Sequence, residues 1–166
     1  MSTFKIEKTE LNQAWEDGPE NYIRFITDAY AQALGAGITA DNIDMLSTDQ
    51  HTLNAYRILL DEVMTGGFIQ LIQNGYAPYV LDGPFPLIIK KMWGFKDFGK
   101  FLYEVKKEYH KHEAELTAEL SEEEFMALYE QYDTLNELGD DFLDDYQEDM
   151  TPAIAGYVRE HEKLFI

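Results

Sequence analysis

The sequence predicts an all-α fold: a single compact domain of about seven to eight helices spanning residues 1–166. Three observations predict it. Apolar residues recur at three- and four-residue steps along nearly the whole chain. The apolar/polar alternation of a half-buried strand never extends over a useful length. Proline, glycine and capping residues stand where such helices should begin and end. With 166 residues, 45% of them hydrophobic, the chain can bury a real core.

A first helix is expected over residues 3–16. Gly18 and Pro19 break the chain, and Pro19 suits a helix start because its missing N–H would be unbonded there anyway. Tyr22, Phe25, Ile26, Ala29, Tyr30, Ala33 and Leu34 then follow helical spacing until Gly35 and Gly37. Residues 38–46 read as a loop with at most a short turn. Ser47 or Thr48 caps the next helix, whose apolar face is Leu53, Tyr56, Leu59, Leu60 and Val63. Thr65-Gly66-Gly67 ends or kinks it, and Phe68, Leu71 and Ile72 make a short continuation closed by Asn74-Gly75. Prolines at 78, 84 and 86 exclude a buried strand from residues 76–86, within which Tyr79, Val80 and Leu81 are the only plausible extended piece. Leu87 to Trp93 reads as a short helix. Phe98, Phe101, Leu102, Val105 and Tyr109 mark a longer one over 96–119. Ser121 with Glu124 fits a capping box opening an acidic helix. Gly139 is expected to interrupt that helix and Pro152 to start the last one.

Charge is the outstanding feature. The net charge of −19 is concentrated in one segment. Residues 1–112 hold 15 acids and 11 Lys or Arg, a net of −4, whereas residues 113–158 hold 15 acids and no base. Residues 82–112 are locally positive, with seven Lys against four acids. The strongly acidic helical segment lies at 113–149. Within it, Phe125, Leu128, Tyr132, Leu135 and Phe142 recur at helical spacing, so it folds rather than trailing as an acidic tail. With those residues inward, Glu130, Asp133, Glu137, Asp140, Asp141, Asp144, Asp145 and Glu148 fall on outward faces. At 1.5 Å rise per residue the row presents a carboxylate every ~5–6 Å, the same order as the phosphate spacing of DNA, roughly 3.4 Å of axis per nucleotide in each strand.

Direct nucleic acid binding and anionic membranes are excluded by repulsion, and a basic protein is the natural partner. Three accounts of the acids compete: a solvated face that keeps the protein soluble, neutralisation by the stripe Lys96, Lys100, Lys107 and Lys111, and a surface read by a basic partner. No apolar run is long enough to span a bilayer, and the charged N-terminus reads as no signal peptide, so the cytoplasm is the expected compartment. The absence of Cys excludes thiolate chemistry and disulfides.

Catalytic and metal signals are weak. His110 and His112 point to opposite sides of a helix, and Glu108 with His112 supplies only two ligands. The Asp pairs 140–141 and 144–145 lack the spacing of a calcium loop. No phosphate-binding or nucleophile motif is present. The reading is a non-enzymatic protein without cofactor.

The stretch LLDEVMTGGFIQLIQNG, Leu59 to Gly75, carries Glu62, Val63, Gly66, Gly67, Phe68, Gln70 and Asn74 in an E-V-x-x-G-G-F-x-Q pattern followed by Asn. It resembles the signature of a bacterial family of small helical proteins, a domain-of-unknown-function group whose named member is a DNA-mimic protein of Neisseria. LGDDFLDDY and IAGYVREHEKLF extend the resemblance over roughly residues 50–166. It implies an acidic, all-helical dimer that occupies the DNA-binding surface of a helix-turn-helix regulator. The motif residues Glu62, Gly66, Gly67, Phe68, Gln70 and Asn74 themselves read as architecture: a glycine corner, a core plug, and polar side chains that satisfy backbone groups there. Transcription regulation by DNA mimicry is the expected function. The alternatives are an immunity-type inhibitor of a basic toxin, and a soluble helical domain whose acidic face has no specific partner.

Overall fold

The computed structural model describes residues 4–35 and 37–166. Every regular element among them is helical: α1 (Lys8–Glu16), α2 (Pro19–Leu34), a 3₁₀ turn (Ile43–Met45), α3 (Thr48–Gln73), α4 (Ala77–Val80), α5 (Phe85–Lys91), α6 (Lys96–Lys111), α7 (Glu113–Thr117), α8 (Glu122–Gln131), α9 (Asp133–Asp141), a π-turn (Phe142–Tyr146), α10 (Gln147–Glu160) and a 3₁₀ turn (Glu162–Leu164). Among the described residues, eight of these helices have seven residues or more. None is long and apolar enough to cross a membrane.

The punctuation works as its chemistry dictates. Pro19 sits in the first turn of α2, and Gly35 ends that helix in the left-handed conformation at φ 71°. Ser47 and Gln50 exchange bonds at the start of α3, and Ser121 and Glu124 do the same at α8.

Five expectations are corrected. The first helix begins at Lys8; residue 3 lies outside the described residues. Tyr79 and Val80 are helical rather than extended, because Pro78 falls in the first turn of α4, where no N–H is needed, and Leu81 continues in helical geometry. The helix expected over 96–119 stops at His112 (φ −129°, ψ 23°), and α7 restarts it. Gly139 does not interrupt the acidic helix; the break comes earlier, at Tyr132 (φ −115°, ψ 62°). Pro152 does not start the last helix but lies inside α10. The chain enters it already helical, so the proline removes one backbone bond without ending the helix.

The chain divides into two compact units, Met1–Arg57 with Asp149–Ile166, and Ile58–Glu148. The first buries Leu11, Ile23, Ile26, Leu53, Ile154 and Val158 together with three tyrosines. Tyr22 donates to Glu162 at 2.7 Å, Tyr30 to the Phe165 carbonyl at 2.7 Å, and Tyr56 shares a hydrogen with Thr151 at 2.7 Å. Burial is the main cause holding all three hydroxyls well above the usual phenol range. The second unit buries Phe68, Phe85, Phe98, Phe101, Leu102, Val105, Leu135 and Phe142. There Phe98 and Phe101 of α6 meet Phe142 at centroid distances of 6.1 and 6.5 Å.

Candidate protein-binding surface

The surface is built on a corner in α3. Gly66 (φ −154°) and Gly67 (φ 71°, ψ −172°) leave helical geometry, the latter in a region open essentially to glycine alone. The corner folds the helix back on itself. In an unbroken helix residues 62 and 74 would lie about 18 Å apart along the axis. Here the Glu62 carboxylate accepts from the Gln70 amide at 2.8 Å and from the Asn74 amide at 2.9 Å. These polar residues therefore bind each other across the bend rather than capping backbone groups as expected. A Cβ on Gly66 would lie 2.2 Å from Gln70 Oε1, and Phe68 is fully buried.

The corner also seats the acidic helices. Tyr129 of α8 donates to the Gly66 carbonyl at 2.7 Å. The Asn136 amide takes the Tyr129 carbonyl, and a Cβ on Gly139 would sit 3.7 Å from Gly67 Cα. The family-like motif and the acidic segment are thus parts of one construction.

Glu130, Asp133, Glu137, Asp140, Asp141, Asp144, Asp145 and Glu148 are all exposed. Opposite them Leu128 and Tyr132 are buried, Leu135 and Phe142 fully, while Phe125 is only half-buried. The break at Tyr132 divides the set: Glu130 belongs to α8, and the other seven lie on the continuous helical run of α9, the π-turn and the start of α10.

The π-turn matters to that run. Gln147 N–H donates to the Phe142 carbonyl, five residues back. In a regular helix, at about 100° per residue, the fifteen steps from Asp133 to Glu148 overshoot four turns by about 60°. A π-turn wraps about 4.4 residues per turn, so its five residues take back roughly 90°. Glu148 returns to within about a tenth of a turn of Asp133, and the acids stay on one side.

Among the described residues, none of the eight acids pairs with a cation. The lysines of α6 do not neutralise them. Lys111 turns to Glu108 on its own helix at 3.2 Å, and Lys106 to Asp82 at 3.8 Å.

Sequence reasoning missed Tyr146, Asp97 and Glu104. Tyr146 is half-buried, with its ring stacked 4.5 Å from Phe101. Its hydroxyl is pushed up by burial first, then by Asp97, Glu104, Asp145 and Asp141. Asp97 and Glu104, two exposed acids of α6, thus act on the same hydroxyl as Asp141 and Asp145. Their seven-residue spacing, two turns of α6, was the available signal.

The histidines have local partners. His110 lies between Asp82 and Glu113, 2.6 Å from each, and His112 is 3.7 Å from Glu108 with its ring 4.8 Å from that of Tyr132. Among the described residues, no group of three or more His, Asp or Glu is placed to hold a metal ion.

A family model described as DMP19-like protein matches residues 44–161. The chain is 38% identical over 72 residues to the DNA mimic protein DMP19 of Neisseria meningitidis serogroup B (strain ATCC BAA-335 / MC58). That similarity covers 43% of this chain and 43% of the relative, less than half of either.

Proposed function

This chain belongs to the DMP19-like protein family, and we propose that it acts as a DNA mimic, a non-enzymatic cytoplasmic protein whose acidic helices occupy the DNA-binding surface of a basic transcription regulator. Asp133, Glu137, Asp140, Asp141, Asp144, Asp145 and Glu148 stand in for phosphates, and Glu130 extends them around the Tyr132 corner. The observation that carries the reading is the run of seven exposed, unpaired carboxylates on one continuous helical stretch. The name of the Neisseria relative points the same way.

The energetics favour a binding role over decoration. Two like charges ~6 Å apart in water repel by about 0.7 kcal/mol before screening. A Debye length of roughly 8 Å removes about half of that. Several such contacts cost the folded state on the order of 1–3 kcal/mol, a real fraction of a typical 5–15. A solvated face needs no such crowding, whereas a surface that must attract Lys and Arg does. A homodimer would double the row and suit a two-fold regulator.

The test begins with a pull-down from the source cell's lysate at low salt, eluted with a salt gradient and identified by mass spectrometry. The recovered regulator is then titrated with its own DNA site and with this chain. Mimicry requires the two to compete, with affinity for this chain falling steeply with salt. The quadruple variant Asp133→Asn, Glu137→Gln, Asp141→Asn, Asp144→Asn is expected to lose binding while melting at a higher temperature than the native chain. A ternary complex with DNA sinks the reading.

A further inference from the structure

α6 carries a second charged surface that the acidic row does not use. Lys96, Lys100, Lys107 and Lys111 fall on one side of this helix, within about 60° of one another, with Tyr103 between the second and third. The opposite side is the buried one, formed by Phe98, Phe101, Leu102, Val105 and Tyr109. α5 crosses α6 closely: a Cβ on Gly99 would lie 2.4 Å from the Cβ of Lys90. This crossing brings Lys90 Nζ to 5.4 Å from the Tyr103 ring centre, while Lys106 Nζ approaches the same ring at 5.9 Å. Beside Tyr103 runs a groove of about 510 Å³, walled by Lys106, Lys107, His110 and Lys111. Among the described residues Lys96, Lys100 and Lys107 are exposed and have no carboxylate partner.

The strip is bordered by acids on one side and at one end. Asp97, Glu104 and Glu108 follow along the next face of α6, and Asp82 and Glu113 hold His110 at the far end of the helix. Carboxylates thus border the cations along one side and at the far end, while Lys90 of α5 continues the band past Tyr103. A chain of net charge −19 has no need of such a band for solubility.

We propose that this strip docks a single acidic segment of a partner protein, with carboxylates at three- to four-residue steps meeting Lys96, Lys100 and Lys107 and an apolar side chain lying over Tyr103. Charge complementarity selects an anion, and the bordering acids select its kind. A helix is about 10 Å across and can lie over Tyr103 and the lysines clear of Asp97, Glu104 and Glu108, whereas the phosphates of a duplex spread over two strands and would meet those acids. Tyr103, flanked by two ammonium groups, supplies the apolar contact that charge alone lacks. The inference does not depend on what binds the acidic row.

The experiment is a fluorescence-anisotropy titration of the full chain with a labelled helical peptide of about sixteen residues, carrying Glu along one face and a central Leu. At low salt we expect saturable binding. Lys100→Glu with Lys107→Glu weakens it at least about tenfold, and Lys100→Arg with Lys107→Arg retains it. Tyr103→Ser, or Ser for Leu in the peptide, weakens it several-fold. All these positions are on the surface, so circular dichroism should report an unchanged fold. The proposal is overturned if the peptide fails to bind or ignores the charge reversal, or if a DNA duplex of similar length binds more tightly than the peptide. It is also overturned if the chain sediments alone as a dimer that the charge reversal dissociates, since a second copy would then fill the strip.

Discussion

The two compact units use their aromatic residues in opposite ways. In the first, Tyr22, Tyr30 and Tyr56 are completely buried, yet each hydroxyl reaches a partner in residues 151–165. The Phe165 carbonyl also accepts from Gln50 at 3.1 Å, and Glu162 accepts from Arg159 at 2.9 Å. Those aromatics act as directional pins that fix the C-terminal segment. In the second unit the buried rings are mainly phenylalanines, stacked without direction, and polarity is kept outside. Pinned tyrosines specify one placement of a segment. Stacked phenylalanines give a firm back to helices whose outer faces repel themselves.

The sharpest way to break this comparison is Phe142→Ala. The ring is fully buried against Phe98 and Phe101, so its loss is expected to cost about 3–5 kcal/mol in urea unfolding. A loss below about 1 kcal/mol would mean that stacking is not what holds the acidic helix. Next comes Gly67→Ala, which forces an L side chain to φ 71°, ψ −172° and should cost about 1–3 kcal/mol. Exchange of the amides flanking the corner, followed by hydrogen–deuterium exchange, should quicken with it.

Smaller still is Tyr56→Phe, which removes a pin without a ring and leaves the buried Thr151 hydroxyl to find another partner. About 1 kcal/mol is expected, read as a lower melting temperature. An unchanged melting temperature would say that the first unit, too, is held by packing alone.

The smallest effect is at His110. Asp82 raises its pKa above the usual 6.5, burial opposes this, and Glu113 adds to the rise. A raised folded pKa means that the contribution to stability is complete below about 6.5 and fades as pH climbs through the folded value. The side chain is 41% exposed, so solvent screening keeps the contribution small. An NMR titration should place the His110 midpoint above 6.5, and Asp82→Asn should lower it.

Much of this architecture is readable from local chemistry. Pro19, Gly35, Ser47, Gly75 and Ser121 act through their own backbone or cap bonds, and such signals need no tertiary context. The resemblance read from Glu62 to Asn74 falls within residues 44–161, the family match. The breaks at His112 and Tyr132 were not legible. At Tyr132 the helix yields where Asn136 reaches back to the Tyr129 carbonyl, a side chain replacing a backbone donor. Nor could pattern alone reveal the π-turn, because Phe142 and Tyr146, four residues apart, face Phe98 and Phe101 of α6 together in α winding as well. Outward placement of the acids was legible because Leu128, Leu135 and Phe142 set the inward side. The part taken by Asp97 and Glu104 was not, because it depends on how α6 packs on α9.

The π-turn has a consequence for how this surface can change over generations. Asp and Glu can exchange freely along it, since each supplies a carboxylate from roughly the same height. A single-residue deletion between Phe142 and Tyr146 is tolerated too: it would restore ordinary winding and leave Glu148 within about 10° of its present direction relative to Asp141. Descendants that keep the surface can therefore drift in spelling and drop one letter of the π-turn, whereas a second loss would turn Glu148 by about 100°.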